Sequence, residues 1–183
     1  VNEGALTGAC GRSSGIAATM NAKTIMRYCV NRGDQFNSFV NGRIANLTCI
    51  MGSGCEMDDC TNYGDVVTSD SQTTTAGMIA LLNNDNVVVT GGGNYGKVIG
   101  GNEQYHGLLV ANFSKFQSVS GVYVGGSCGT YSSDGNHKMH ELNKDNWIKH
   151  IGSCSEANMA KVTKLSSEWG EGGSSTEGDL PEL

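Results

Sequence analysis

Proline is almost missing from this chain. There is one, Pro181, among 183 residues, against 27 glycines. So little proline excludes a collagen-like or proline-rich extended chain despite the glycine. Large apolar side chains are scarce too: Leu, Ile, Val and Phe together number 36. That is about a fifth of the chain, at the edge of the composition that stays disordered. The net charge of -6 is too small for repulsion to hold the chain open. No apolar run approaches the ~20 residues that a membrane-spanning helix needs; runs such as Val87–Val89 and Leu108–Val110 are far shorter. Positive charge is also in short supply. The pI is about 5.1, and residues 1–50 hold only five Lys or Arg against two acids, without interleaved aromatics. Nucleic acid is therefore not an expected partner.

Cysteine is plentiful by comparison: Cys10, Cys29, Cys49, Cys55, Cys60, Cys128 and Cys154. A thin core is commonly reinforced by disulfides, each contributing about 2–4 kcal/mol. These residues are read as bridge candidates, with Cys55–Cys60 the nearest local pair and one thiol left over. Bridges imply an oxidising compartment, extracellular or at the cell surface. No Cys-x-x-Cys occurs, which argues against a structural zinc site. Two sequons, at Asn46 and Asn112, fit a glycoprotein. The first residue, Val1, fits a processed mature form or a fragment.

Local patterning points to an α+β fold. Met20, Ile25, Met26 and Cys29 suggest a helix over 16–31. Phe36, Phe39, Val40, Ile44 and Leu47 suggest a second over 34–47, and a short third is expected over 76–82. Residues 51–75 read as a long acidic loop. Period-two segments at Val87–Thr90, Lys97–Ile99, Tyr105–Phe113 and Phe116–Val124 follow, separated by glycine clusters. Together they predict N-terminal helices packed on a glycine-punctuated antiparallel β-meander, stabilised by disulfides. Short helices are expected over 145–151 and 156–165. The domain runs from 1 to 165, and 166–183 forms an acidic Gly/Ser-rich tail. No repeat of fixed period stands out.

Several short motifs match known patterns by composition alone. Gly91-Gly92-Gly93-Asn94-Tyr95-Gly96 spells a dinucleotide-loop pattern, but a strand rather than a helix is expected after it, which favours a hairpin connection. Arg32-Gly33-Asp34 is read as a helix break followed by an N-cap. No cofactor is expected.

Three functions follow from these features. The leading one is a non-enzymatic extracellular structural or adhesive protein, a subunit of a surface filament, pilus-like or coat assembly that self-associates. A second is a small secreted glycan-binding module, with Asn94, Tyr95, Asn102 and Tyr105 in its ligand loops. A third is a secreted metal-dependent hydrolase in which His137 and His140 hold the metal and Glu141 activates water.

Overall fold

The computed structural model describes residues 1–82, 84–112, 118–140 and 152. Among these there are 21 short strands and no helix. The expected α+β fold is therefore corrected to an all-β one. The chain winds as a β-solenoid. Its coils run over residues 1–29, 30–60, 61–92 and 93–122, and a fifth begins at 123.

The second, third and fourth coils each contribute a strand to all five sheets and the first coil to three, all paired in parallel from coil to coil. Sheet 1 holds Val30–Asn31, Thr61–Asn62, Gly93–Asn94 and Tyr123–Val124, with Asn2 bridged onto Asn31. Sheet 2 holds Leu6–Gly8, Gln35–Asn37, Val66–Thr68, Val98–Ile99 and Cys128–Thr130. Sheet 3 is built from Arg12–Ser14, Arg43–Ala45, Thr74–Ala76 and His106–Gly107. Sheet 4 is built from Thr48–Ile50, Ile79–Leu81 and Val110–Asn112. Sheet 5 completes the coil with Ile25–Arg27, Glu56–Asp58, Val88–Thr90 and Ser118–Ser120. One antiparallel strand, Lys138–Met139, folds back onto Cys128–Thr130.

Parallel pairing requires a long return path, and here the coil itself is that path. The expected strands over 88–90 and 98–99 are present. The two longer ones each divide at a corner, into 106–107 plus 110–112 and 118–120 plus 123–124. The apparent helical stripes have another origin. Short strands alternate inward and outward residues, and corners every few residues shift the phase, so Phe36, Val40, Ile44 and Leu47 fall three or four apart without a helix. The expected helices over 145–151 and 156–165, and the tail, lie outside the described residues.

The core is a column of like residues stacked along the axis. Met20 lies above Met51, and Met26, Met57, Val89 and Val119 share one register position. All are buried in a single cluster with Leu47, Met78 and Leu109. A second, narrow cluster between sheets 3 and 4 is filled by Ala45, Ala76, Ala80, Ala111 and Cys49. Thirty-six large apolar residues suffice because small and polar side chains share the interior. The described cysteines, Cys10, Cys29, Cys49, Cys55, Cys60 and Cys128, are all free thiols. The expectation of a disulfide-stabilised fold is thus corrected. Four of them are buried and act as small core residues.

The polar part of that interior is an asparagine ladder. Asn2 Nδ2 donates to Asn31 Oδ1 at 2.6 Å, Asn31 to Asn62 at 3.0 Å, and Asn62 to Asn94 at 2.8 Å. Each asparagine also donates to the carbonyl of the glycine two residues on: Gly4, Gly33, Gly64 and Gly96. The ladder stops at Val124, so Asn94 turns its second bond to Gly125 O at 3.2 Å. The glycines are needed for close approach. A Cβ on Gly33, Gly64 or Gly96 would lie 2.0–2.2 Å from the glycine carbonyl of the preceding coil.

A second axial row sets one corner. Tyr28, Asp59, Gly91 and Gly121 occupy the same place in successive coils, and all have positive φ, between 47° and 67°. A left-handed residue turns the chain from sheet 5 into sheet 1. Glycine tolerates it freely, aspartate at modest cost, and tyrosine only under strain. Gly91-Gly92-Gly93-Asn94-Tyr95-Gly96 is thereby explained as corner, ladder and close approach rather than as a hairpin connection.

Replacing Gly64 by Ala forces backbone against backbone at the middle of the stack. The expected loss is about 1–3 kcal/mol of unfolding free energy, read by urea denaturation with the m-value unchanged.

Candidate functional site

Period-two alternation places the residue after each ladder asparagine on the outside. Those residues are Glu3, Arg32, Tyr63 and Tyr95, and they stack into a ridge along the axis. Arg32 Nη1 lies 3.5 Å from Glu3 Oε1, and its guanidinium sits 6.0 Å from the centre of the Tyr63 ring. Tyr63 stacks on Tyr95 with centroids 4.9 Å apart and planes 20° from parallel. Tyr95 stacks on Tyr123 at 4.4 Å and 18°. In the fifth coil the ridge position is Gly125. A Cβ there would meet the Tyr123 ring 2.3 Å away, so the missing side chain lets Tyr123 swing over and complete the stack. Burial pushes the Tyr63 phenol up, and Arg32 pulls partly against this.

A carboxylate row runs beside the ridge. Asp34 Oδ1 accepts the Asp65 N–H at 2.8 Å, and Asp65 Oδ1 accepts the Lys97 N–H at 2.7 Å. Lys97 Nζ approaches Asp65 Oδ2 at 4.0 Å. Burial raises the Asp65 carboxyl above its usual range, and the bond and charge of Lys97 oppose that. Arg32-Gly33-Asp34 is thus no helix break: Arg32 belongs to the ridge, Gly33 to the close approach and Asp34 to the carboxylate row.

The residues 51–75, expected as a loop, carry their acids on ordered strands and corners. Glu56 and Asp58 flank Arg27 at 3.5 Å each. Asp70 Oδ2 accepts Asn41 N–H, Gln72 N–H and the Thr73 hydroxyl, pinning two corners together.

The proposed ligand-loop residues separate. Asn94 is buried in the ladder, and both faces of the Tyr95 ring are covered by neighbouring tyrosines, which leaves neither face for a sugar. Asn102 accepts the Gln104 N–H in a turn that also holds Tyr105 N–H. Among the histidines, His137 Nδ1 accepts the Ser132 N–H at 3.0 Å, and its ring lies 5.3 Å from Tyr131. The His140 ring meets His106 edge-on at 6.1 Å. Glu141 and Cys154 lie outside the described residues. No group of three metal-ligating side chains comes together among those described. Asn46 is wholly buried, and its amide donates to Gly64 O at 2.6 Å, so that sequon does not present its side chain to solvent. Asn112 is half-buried at the end of a sheet 4 strand. Gly11-Arg12-Ser13-Ser14-Gly15 spells a nucleophile-elbow pattern, but the Ser13 hydroxyl donates to Gln35 Oε1 at 2.8 Å and no helix follows.

Sequence reasoning missed Glu3, Arg32, Tyr63 and Tyr123. The signal was present as Asn-x-Gly at 2–4, 31–33, 62–64 and 94–96. Its spacing drifts from 29 to 31 to 32 residues, which hides it from a search for one fixed period.

Two outcomes are expected. Burial drives the Cys49 and Cys128 thiols up to about 12 and Cys60 to about 11, so none is a nucleophile at neutral pH. Ellman's reagent should modify exposed Cys10 rapidly and these three only at the rate of unfolding. Asp65→Asn keeps the oxygen that accepts from Lys97 N–H and removes a carboxylate whose folded pKa is raised. Wild-type stability should therefore rise relative to the variant as pH falls through that folded pKa, with the full gain reached below the unfolded value. Paired denaturation curves between pH 7 and 3 check the sign.

Among the described residues no helix is long and apolar enough to cross a membrane. Compared with models of known families, with curated proteins and with solved structures, the chain finds no match.

Proposed function

We propose that this chain is a non-enzymatic structural or adhesive element of an extracellular or cell-surface assembly, working as a stacked subunit of a filament or coat. The observation that carries this reading is the axial ladder architecture. The ladder asparagines and the tyrosines of the outer ridge pair with their equivalents in the next coil, so these side chains converge on a neighbour rather than on a cleft. A solenoid is quasi-one-dimensional and extends by adding equivalent units, as a shaft or coat element requires. Few large apolar residues per coil also favour stabilisation by neighbouring subunits. The reading includes self-association of the chain.

Immunogold electron microscopy of the source cells tests the location, with gold expected on surface structures. Label confined to the cell interior would sink the reading. Sedimentation from micromolar upward tests the assembly, with mean mass expected to rise with concentration.

A further inference from the structure

The ridge holds a reactive pair as well as a packed one. Tyr95 and Tyr123 stack with centroids 4.4 Å apart and planes 18° from parallel, closer than Tyr63 and Tyr95 at 4.9 Å. Tyr123 is not the register partner of Tyr95. It pairs with Gly93, and Tyr95 stands opposite Gly125. Two glycines make this placement possible. A Cβ on Gly93 would lie 2.4 Å from Tyr123 O, and a Cβ on Gly125 would lie 2.3 Å from the Tyr123 ring and 2.6 Å from its hydroxyl. A side chain at either place displaces Tyr123 from Tyr95.

The surroundings set this pair apart from the other tyrosines. Tyr63 also stacks on Tyr95, but the Arg32 guanidinium lies 6.0 Å from the Tyr63 ring centre. A cation there opposes removal of an electron from that ring. Tyr131 packs against Phe36 and His137. Tyr28 is 66% exposed and open to encounters between chains. Tyrosine has one covalent reaction that needs a second tyrosine beside it: one-electron oxidation followed by coupling of two phenoxyl radicals. Holding the rings together makes the coupling unimolecular, which favours it strongly over encounters in solution.

We propose that Tyr95 and Tyr123 form an oxidative cross-linking site, joined as a dityrosine that ties the fourth coil to the fifth. The oxidant is hydrogen peroxide, acting through an enzyme of the peroxidase class. Each phenol gives up one electron and its hydroxyl proton. The two radicals pair at ring carbons ortho to oxygen, and one carbon–carbon bond forms. The ortho hydrogen of each ring then moves to its oxygen as aromaticity returns. The two electrons and two protons released reduce one peroxide to two waters, so the chain loses two hydrogen atoms. The site stands independently of the assembly reading, because both tyrosines belong to one chain.

The test treats the full-length chain at low micromolar concentration with a peroxidase and hydrogen peroxide, under conditions that couple free tyrosine. Digestion and mass spectrometry then locate the bond. The main product should join the peptides of Tyr95 and Tyr123, lighter than their sum by two hydrogens. The chain should keep its monomer mass on a denaturing gel, and the yield should not change on tenfold dilution. Gly125→Ala keeps all six tyrosines and pushes the Tyr123 ring off the stack, so the product should fall at least tenfold. Tyr63→Phe leaves the pair in place and should retain at least half of it. Urea curves of both variants run alongside; should Gly125→Ala not fold, dilution and the position of the bond decide by themselves. Four results overturn the proposal: no cross-link, a yield that falls with dilution, a main product at Tyr28, or a product undiminished in folded Gly125→Ala.

Discussion

One distance governs this molecule: the spacing of about 4.8 Å between parallel strands. Every coil must repeat its neighbour at that interval, so any side chain is judged first by what lies directly above and below it. An asparagine in the interior is costly alone, because a buried amide without partners loses about 1–3 kcal/mol. Stacked on other asparagines it is satisfied, since each amide donates to the next. The glycine two residues on completes the unit by letting carbonyls approach closely. Asn-x-Gly is therefore one device rather than two preferences, and it recurs in four coils.

The same spacing organises the surface. Arginine over tyrosine and tyrosine over tyrosine turn exposed side chains into a continuous ridge, each ring shielding the next. Where the sequence departs from the pattern, the departure is compensated locally. Gly125 leaves a gap that the Tyr123 ring fills, and Val124 ends the ladder while Gly125 O takes the last amide hydrogen. Carboxylates on the outside cap the amides of the following coil, as Asp34 and Asp65 do. They act as mechanical fasteners between coils.

Much of the strand content was legible in the sequence, because Val87–Thr90 and Lys97–Ile99 alternate clearly and glycine flanks them. The parallel topology was not, since strands of two or three residues carry too little periodicity to reveal a direction. Helical stripes over 16–47 arose from strand alternation interrupted by corners, and no local rule separates the two over so few residues. Cysteine misled for a related reason. Counting thiols cannot show that Cys49 replaces an alanine of the same row, or that Cys128 stands where Val66 and Val98 stand. The tyrosine ridge was visible only after Tyr63 and Tyr95 were aligned by coil, and the drift in coil length concealed that alignment.

The row formed by Tyr28, Asp59, Gly91 and Gly121 has a consequence for how such a chain can change. Its corner is always two residues long between sheet 5 and sheet 1, so the seam is fixed in length as well as in backbone conformation. Coil lengths of 29 to 32 residues are taken up elsewhere, where the register steps between sheets 2 and 3 and between sheets 4 and 5. The walls of the molecule are held to one register while those two corners drift. Insertion there alters contour and leaves the stacked interior in step.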